Sequence, residues 1–439
     1  MIGIIGCLVA FFLVIYLCYK NWSIFYAAIL GSLVVIATNA LPVMETFNEV
    51  YMPKFGSFIV GYFAIILFGA IQARIYTESG AALTIAETIM NTFMKDGMSD
   101  NRKQITAILL ITLIGTILGF GGIIATVVII LLYPIALLIF ERAGIPKKFI
   151  LGVLAAGTYT FALTSPGSPQ VTNIVAMNLL ETSSTAAMIP GILGAVAEVV
   201  VIVIVLNKMI NKAKKNGEVF AYHPNDTVYD SSTEKPKFIP AILPLAMLFV
   251  LFNVFNLDIV VCLVAGCILS VALFWKFLVK KGIQGILNEA AKQSLPLVST
   301  IAAVIGFAGV VSSTPAFDSI IEYILGLSLP PMLLLIVCTA FMCALTGGSA
   351  TGLTVCLPII GGILINEMGM MPEVVHRVGT FAATTIDTLP YSGSVLMFLP
   401  ISNMKLKEVY PATFVTTVVA TIVGTAVVAV TLLLFPGLA

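Results

Sequence analysis

The sequence is short of charge. Only 10% of its 439 residues are Asp, Glu, Lys or Arg, while 59% are apolar, against about 25% charged and 45–50% apolar in an ordinary soluble domain. So few charges cannot cover the surface of a water-soluble protein of this length, which excludes a soluble enzyme. Nor is there a dominant sign. The 22 Lys and Arg against 21 Asp and Glu give a net charge of +1, so no basic field exists for nucleic acid. The seven cysteines, Cys7, Cys18, Cys262, Cys267, Cys338, Cys343 and Cys356, all lie in apolar runs without metal-site spacing. They read as small packing residues rather than disulfides or metal ligands, and no cofactor is expected. The first twenty residues lack a basic start and an A-x-A cleavage site, so they read as a retained span.

What the sequence has is hydrocarbon. Its mean hydropathy is +1.10, and about 20 apolar residues suffice to cross a bilayer core about 30 Å thick. Spans are expected at residues 2–19, 23–43, 55–76, 186–207, 239–256, 257–277, 295–313 and 410–435. Two stretches, 103–141 and 330–366, are about twice as long as one span. Each is interrupted by a glycine cluster, Gly119-Phe120-Gly121-Gly122 in the first and Gly347-Gly348-Ser349-Ala350-Thr351-Gly352 in the second. After each comes a segment broken by Pro and Gly. These are 146–178, broken at Thr164-Ser165-Pro166-Gly167-Ser168-Pro169, and 373–402, broken at Thr388-Leu389-Pro390-Tyr391-Ser392-Gly393-Ser394. Segments 79–98 and 315–328 read as amphipathic connectors, and 208–238 is the one sustained polar stretch.

The order of these features repeats. Residues 1–208 and 239–439 each read span, span, span, connector, glycine-broken hairpin, Pro/Gly-broken span, span, on either side of a linker at 209–238. If each hairpin re-enters without crossing, each half crosses an odd number of times and the halves are inverted. That arrangement puts 20 of the 22 basic residues on one side and leaves Lys54 and Arg377 on the other. By the positive-inside rule the linker is then cytoplasmic and both termini are outside. Paired interruptions in two halves are the sequence pointer to a secondary transporter's binding site.

Broken helices survive in hydrocarbon only where buried or lining a cavity, and the exposed N–H groups of a half-helix attract anions. The candidate substrate-binding residues are Gly121, Gly122, Ser165, Gly167, Ser168, Asn173, Gly348, Ser349, Thr351, Thr388, Ser392 and Ser394. The competing reading is small-residue helix packing. Two acids, Glu198 and Asp387, fall inside spans, where an ionisable group is a functional candidate. Asp387 is expected one residue before the second break, carrying a proton with the anion; its competing role is a structural cap. Glu198, with no break beside it in the sequence, is open between a packing pair and a proton path. His376-Arg377 reads as an interfacial anchor or an anion-steering pair at the outer end of its span, and His223 as a solvated loop residue.

Three stretches resemble the gluconate:proton symporter (GntP) family of the ion-transporter superfamily. Leu163-Thr164-Ser165-Pro166-Gly167-Ser168-Pro169-Gln170 with Thr172-Asn173 is similar to its LPGTPQ…N element. Thr346–Gly352 is similar to its TGSASGG hairpin tip, and Asp387–Val395 to its DTLPHNGAV element, with Leu406–Tyr410 fitting the loop after it. The likeness spans essentially the whole chain. It implies an all-α polytopic membrane protein with about ten transmembrane helices plus two re-entrant hairpins in two inverted-topology repeats. It further implies an elevator-type, homodimeric inner-membrane carrier that imports a small organic acid anion with a proton, in contact with membrane lipid. Tyr391-Ser392 stands where the family has His-Asn, and its His/Pro-rich element after the first hairpin is absent. The expected substrate is gluconate-like or a short hydroxy-monocarboxylate such as 3-hydroxybutyrate, and these departures tilt the expectation towards the smaller, less polar acid. Sodium-coupled members carry Ser-Asn-Thr at the hairpin tips, which this chain lacks; a sodium symporter or a cation/proton antiporter is the alternative within transport. An aspartyl intramembrane protease would need a second embedded Asp, and a serine protease a Ser–His pair at depth. A channel would need a filter repeated by oligomer symmetry.

Overall fold

In lipid a chain must pair its own backbone N–H and C=O groups, and a helix does so within one segment. The computed structural model describes residues 2–20, 22–95, 97–223, 226, 234–317, 319, 329–390, 392, 395 and 398–439, with 15, 18, 19, 345, 400 and 401 as backbone only. Every regular element among them is helical. In chain order these are α1 (Ile2–Tyr19), α2 (Ile24–Thr38), α3 (Val43–Ser79), α4 (Ala81–Phe93), α5 (Asp100–Phe120), α6 (Ala125–Ala143) and α7 (150–164). Then follow α8 (Val171–Leu180), α9 (Met188–Lys215), α10 (Phe238–Asn253), α11 (Ile259–Val279) and α12 (Ile283–Ser312). The chain ends with α13 (Pro331–Thr346), α14 (Ser349–Asn366), α15 (Pro372–Ala383), α16 (Phe398–Ser402) and α17 (Leu406–Leu434). Eight of the described helices, α3, α5, α6, α9, α11, α12, α14 and α17, are long and apolar enough to cross a membrane. The protein is an all-helical, polytopic membrane protein.

The expected spans shift at their ends for local reasons. The span expected at 23–43 stops at Thr38, because Asn39 caps it and Ala40 takes φ 53° just before Pro42. The one expected at 55–76 runs on in both directions as the 37-residue α3, and the one expected at 295–313 extends back through Pro296 to Ile283. Connector 79–98 contains α4, set off from α3 by left-handed Gly80. Most of 315–328, together with Tyr391, Gly393 and Ser394, lies outside the described residues.

Both hairpins form. In the first, α5 turns into α6 through Gly121 and Gly122; in the second, α13 turns into α14 through Gly347, whose φ of 66° suits a residue without Cβ. Both interruptions form too. Helix α7 ends at Thr164, and the Ser165–Gln170 segment, holding two prolines without N–H groups, stays unwound until α8. The second break starts earlier than the sequence suggests. Helix α15 ends at Ala383, so Asp387 lies inside the unwound segment rather than before it. The cause is local: the hydroxyls of Thr384 and Thr385 bond back to the carbonyls of Phe381 and Ala382 at 2.8 and 2.7 Å, an alternative to the helical ladder.

Packing joins the two halves of the chain. Helix α3 lies along α12 and α9 along α17, while α11 packs on α3 and α2 on α12. Helix α8, from the first half, packs on α14 and α15 of the second. The six cysteines whose side chains are described are buried and unpaired, as expected of packing residues.

Candidate substrate site

The unwound segments are held by side chains from both halves. In the first, Ser168 donates to the Ala162 carbonyl and Asn173 Nδ2 to the Ser168 carbonyl at 2.8 Å. Gln170 reaches the tip of the first hairpin, donating to the carbonyls of Gly119 at 2.7 Å and Ile123 at 3.0 Å. Gly167 takes φ 77°, donates to Ser184 O at 2.9 Å, and leaves room for Asn253 of α10, whose Oδ1 would lie 2.8 Å from a Cβ there. The first break is thus a closed, hydrogen-bonded turn set against the hairpin.

Two helix N-termini meet beside it. Thr172, in the first turn of α8, and Ser349, first residue of α14, have hydroxyl oxygens 3.0 Å apart. Asp387, from the second break, is 5% exposed and lies within reach of the Ser349 hydroxyl and backbone N–H and of Thr388. Its Oδ1 has no hydrogen-bond partner among the described residues, and the same holds for Ser165 Oγ. Ser392 donates weakly to Gly347 O at 3.5 Å, and Thr388 donates to Thr417 Oγ1 of α17 at 2.5 Å. Thr351 is buried on the first turn of α14, and among the described residues a Cβ on Gly348 would meet Thr351 Oγ1 alone, at 3.4 Å. These groups form one neighbourhood of helix N-termini, hydroxyls and a carboxylate.

The structure separates the expected residues into groups. Gly348, Ser349, Thr351, Asp387, Thr388 and Ser392 gather around the start of α14, where Thr172 joins them; Ser165, Gly167, Ser168 and Asn173 build the first break beside it. Gly121 and Gly122 serve packing here: a Cβ on Gly121 would lie 2.3 Å from Leu245, and one on Gly122 2.6 Å from Leu263. The first hairpin faces the break through the carbonyls of Gly119 and Ile123 instead. Ser394 lies outside the described residues.

Glu198 is close to a break after all. It is fully buried on α9, accepts from Thr164 Oγ1 at 2.8 Å through Oε2, and leaves Oε1 without a partner among the described residues. Sequence distance hid this contact, because Thr164 and Glu198 are 34 residues apart. Gly424 of α17 makes room for the carboxylate, whose Oε1 would lie 2.7 Å from a Cβ at that position.

His376 and Arg377 correct the expectation of an interfacial pair. Both are completely buried, and Arg377 is the largest of the fully buried side chains. Arg377 donates to three backbone carbonyls, from Nε to Ala186 at 2.9 Å, from Nη1 to Thr164 at 3.2 Å and from Nη2 to Ser184 at 3.1 Å. His376 lies 2.8 Å from Asn173 Oδ1 and 2.6 Å from Thr182 Oγ1. The signal was present: an Arg inside a helix that leads into a Pro/Gly break. Its burial also takes Arg377 out of any count of loop charges.

The polar linker is anchored rather than merely solvated. Asp226 inserts a side chain with no exposed surface against Lys147, 2.6 Å away, and accepts from Tyr133 at 2.7 Å and from the His223 N–H at 2.7 Å. Burial opposes the Asp226 charge, but these three donors outweigh it and hold the carboxyl below the usual carboxylate range. Glu218 pairs with Lys148 at 2.6 Å and Tyr222 with Glu141 at 2.8 Å. Further along, Lys235 pairs with Glu87, and exposed Glu234 bridges Lys276 and Lys280, which together hold its carboxyl at about 2.

No protein-family model matches the chain. It is 28% identical over 469 aligned positions to a Bacillus subtilis protein described as the uncharacterized transporter YxjC, covering 96% of this chain and 97% of that one. A Haemophilus influenzae protein described as an uncharacterized transporter is 23% identical over 349 positions, 78% of each chain. The crystal structure of the Alcanivorax borkumensis YdaH transporter superposes with a TM-score of 0.52, covering 88% of this chain and 89% of that one at 15% identity. The relatives are transporters and not enzymes, and a shared fold runs nearly end to end: the chain is a multi-pass membrane transporter.

Proposed function

We propose that the protein is a secondary carrier that imports a small organic acid anion, gluconate-like or a short hydroxy-monocarboxylate such as 3-hydroxybutyrate, together with a proton. The observation that carries the reading is the meeting of the α8 and α14 N-termini at Thr172 and Ser349, with the carboxylate of Asp387 beside them. Helix N-termini favour negative charge. In this structure Asp387 stands where an incoming carboxylate would find the N–H ends of α14. Two carboxylates at one helix end repel, so the anion binds when Asp387 carries a proton and leaves when it gives the proton up. Glu198 at Thr164 is the second proton-handling candidate.

The repeated helix order supports two inverted-topology repeats, 1–208 and 239–439, with hairpins that re-enter from opposite faces. The bias of basic residues supports a cytoplasmic linker and outside termini in a cell inner membrane. The resemblance to the gluconate:proton symporters supports a lipid-embedded homodimer in which the hairpins and broken helices move as an elevator. The two buried carboxylate oxygens without a partner among the described residues, on Asp387 and Glu198, favour a cation/proton antiporter or a sodium-coupled symporter as the second reading.

A thermal-shift screen of purified protein against small carboxylates identifies the ligand, since one present at 100 times its Kd stabilises the fold by about 2.7 kcal/mol. Labelled uptake into proteoliposomes then separates the readings. A symporter accumulates the acid when a pH gradient is imposed. An antiporter dissipates the gradient with no organic acid present, and that result would replace the proposal.

A further inference from the structure

The structure assigns Arg377 to the transport machinery as a positioning residue: its guanidinium sets the shape of the first break from the opposite half of the chain. Thr164 is the last helical residue before the break, and Ser184 and Ala186 lie in the connection between α8 and α9. By bonding all three carbonyls, the guanidinium closes a loop around the unwound segment and α8. The Ser184 carbonyl is shared further, receiving the Gly167 N–H at 2.9 Å and Asn173 Nδ2 at 3.3 Å. None of the ion pairs among the described residues includes Arg377. Its hydrogen-bond partners among the described residues are carbonyls alone, which suits a rigid fork of several donors and not the point charge of a lysine.

The neighbouring histidine completes the clamp. Asn173 Nδ2 donates to the Ser168 and Ser184 carbonyls, which leaves Oδ1 to accept. His376 therefore donates from Nε2 to Asn173, while its Nδ1 shares a hydrogen bond with the Thr182 hydroxyl. Space is made for the clamp at Gly191 of α9, where a Cβ would lie 2.5 Å from Pro166 Cγ and 3.0 Å from Arg377 Cδ. Two consecutive residues of α15 thus grip the first break, so the two interrupted helices shift as one piece. This inference rests on the proposed site only in its transport readout.

The test is hydrogen exchange on the purified full-length protein, comparing Arg377→Lys, Arg377→Gln and Gly191→Ala with wild type. Positioning predicts amide exchange faster by about tenfold or more in peptides covering 165–187, with peptides from α2 and α11 unchanged. Lysine keeps the charge but not the fork, so it fails to restore protection. Wild-type protection of 165–187 in Arg377→Lys would overturn the inference. Should Arg377→Gln not fold, Gly191→Ala, which pushes on the clamp without removing it, must show the same local loss; protection unchanged there also counts against it. In proteoliposomes, Arg377→Lys should raise the half-saturating concentration of labelled 3-hydroxybutyrate about tenfold while the maximal rate stays within about threefold. An unchanged half-saturation overturns the inference. If wild type does not move 3-hydroxybutyrate, the substrate reading fails, and the exchange result alone decides the role of Arg377.

Discussion

The hydroxyls of Thr172 and Ser349 lie 3.0 Å apart although 177 residues separate them in the chain. One opens a half-helix of the first interruption, the other the returning arm of the second hairpin. Truncating either should weaken anion binding and leave the fold intact, since each is a small group at a helix start. We expect Ser349→Ala to raise the half-saturating substrate concentration by about ten- to a hundredfold, the loss of one hydrogen bond to a charged group at about 1.5–3 kcal/mol. Equilibrium binding to the purified variant measures it. Unchanged affinity in the Ser349→Ala, Thr172→Val double variant would place the substrate elsewhere.

Asp387→Asn keeps the shape of the side chain and removes its proton chemistry. Uphill uptake driven by a pH gradient should fall to background, while exchange of labelled for unlabelled acid across the membrane persists. Full accumulation by the variant would take Asp387 out of the coupling step.

The glycines of the two hairpins should respond differently. Gly348→Trp meets little among the described residues and should impair substrate binding far more than melting temperature. Gly121→Val drives a side chain into Leu245 and should destabilise the fold by about 1–3 kcal/mol, the usual result of overpacking. The comparison needs only a melting curve and a binding isotherm for each. Equal effects on both readouts would mean that both tips are packing alone.

Asp226 tests the linker. Its carboxyl is held below the usual range, so the stabilisation it gives is present above the carboxylate's unfolded pKa and is lost as pH falls through the depressed value. Asp226→Asn should mimic that loss at neutral pH, leaving Lys147 buried without its partner and costing about 3–5 kcal/mol. Replacing Lys147 by Met in the same chain should return part of it. Protease sensitivity of 216–226 reports the release, and an unchanged digestion pattern in Asp226→Asn would remove the anchor.

The interruptions were legible because prolines, glycines and hydroxyls inside apolar runs leave few other structures open: Pro166, Pro169 and Gly347 mark their turns directly. What could not be read was which segment reaches which. Glu198 meets Thr164 only through the crossing of α9 over the first interruption, and Arg377 meets it through α15 from the far half. Hydropathy placed Arg377 near a span end because Pro372 starts that helix, yet its guanidinium is buried against the carbonyls of Thr164, Ser184 and Ala186 and its stem against Gly191 of α9. The second break starts early because threonine hydroxyls bond locally, a competition that a proline count does not register. The linker's acids looked like ordinary loop charges, and the buried pairing of Asp226 with Lys147 depends on a tertiary pocket.

The anchors of the linker have a mechanical meaning. Asp226 is fastened to Lys147 and Tyr133 beside the first hairpin, and Glu234 to Lys276 and Lys280 at the end of α11. Eight peptide steps separate Asp226 from Glu234, a contour of at most about 29 Å when fully drawn out. That contour is a leash: travel that carries the two fastenings further apart than this must first unhook one of them.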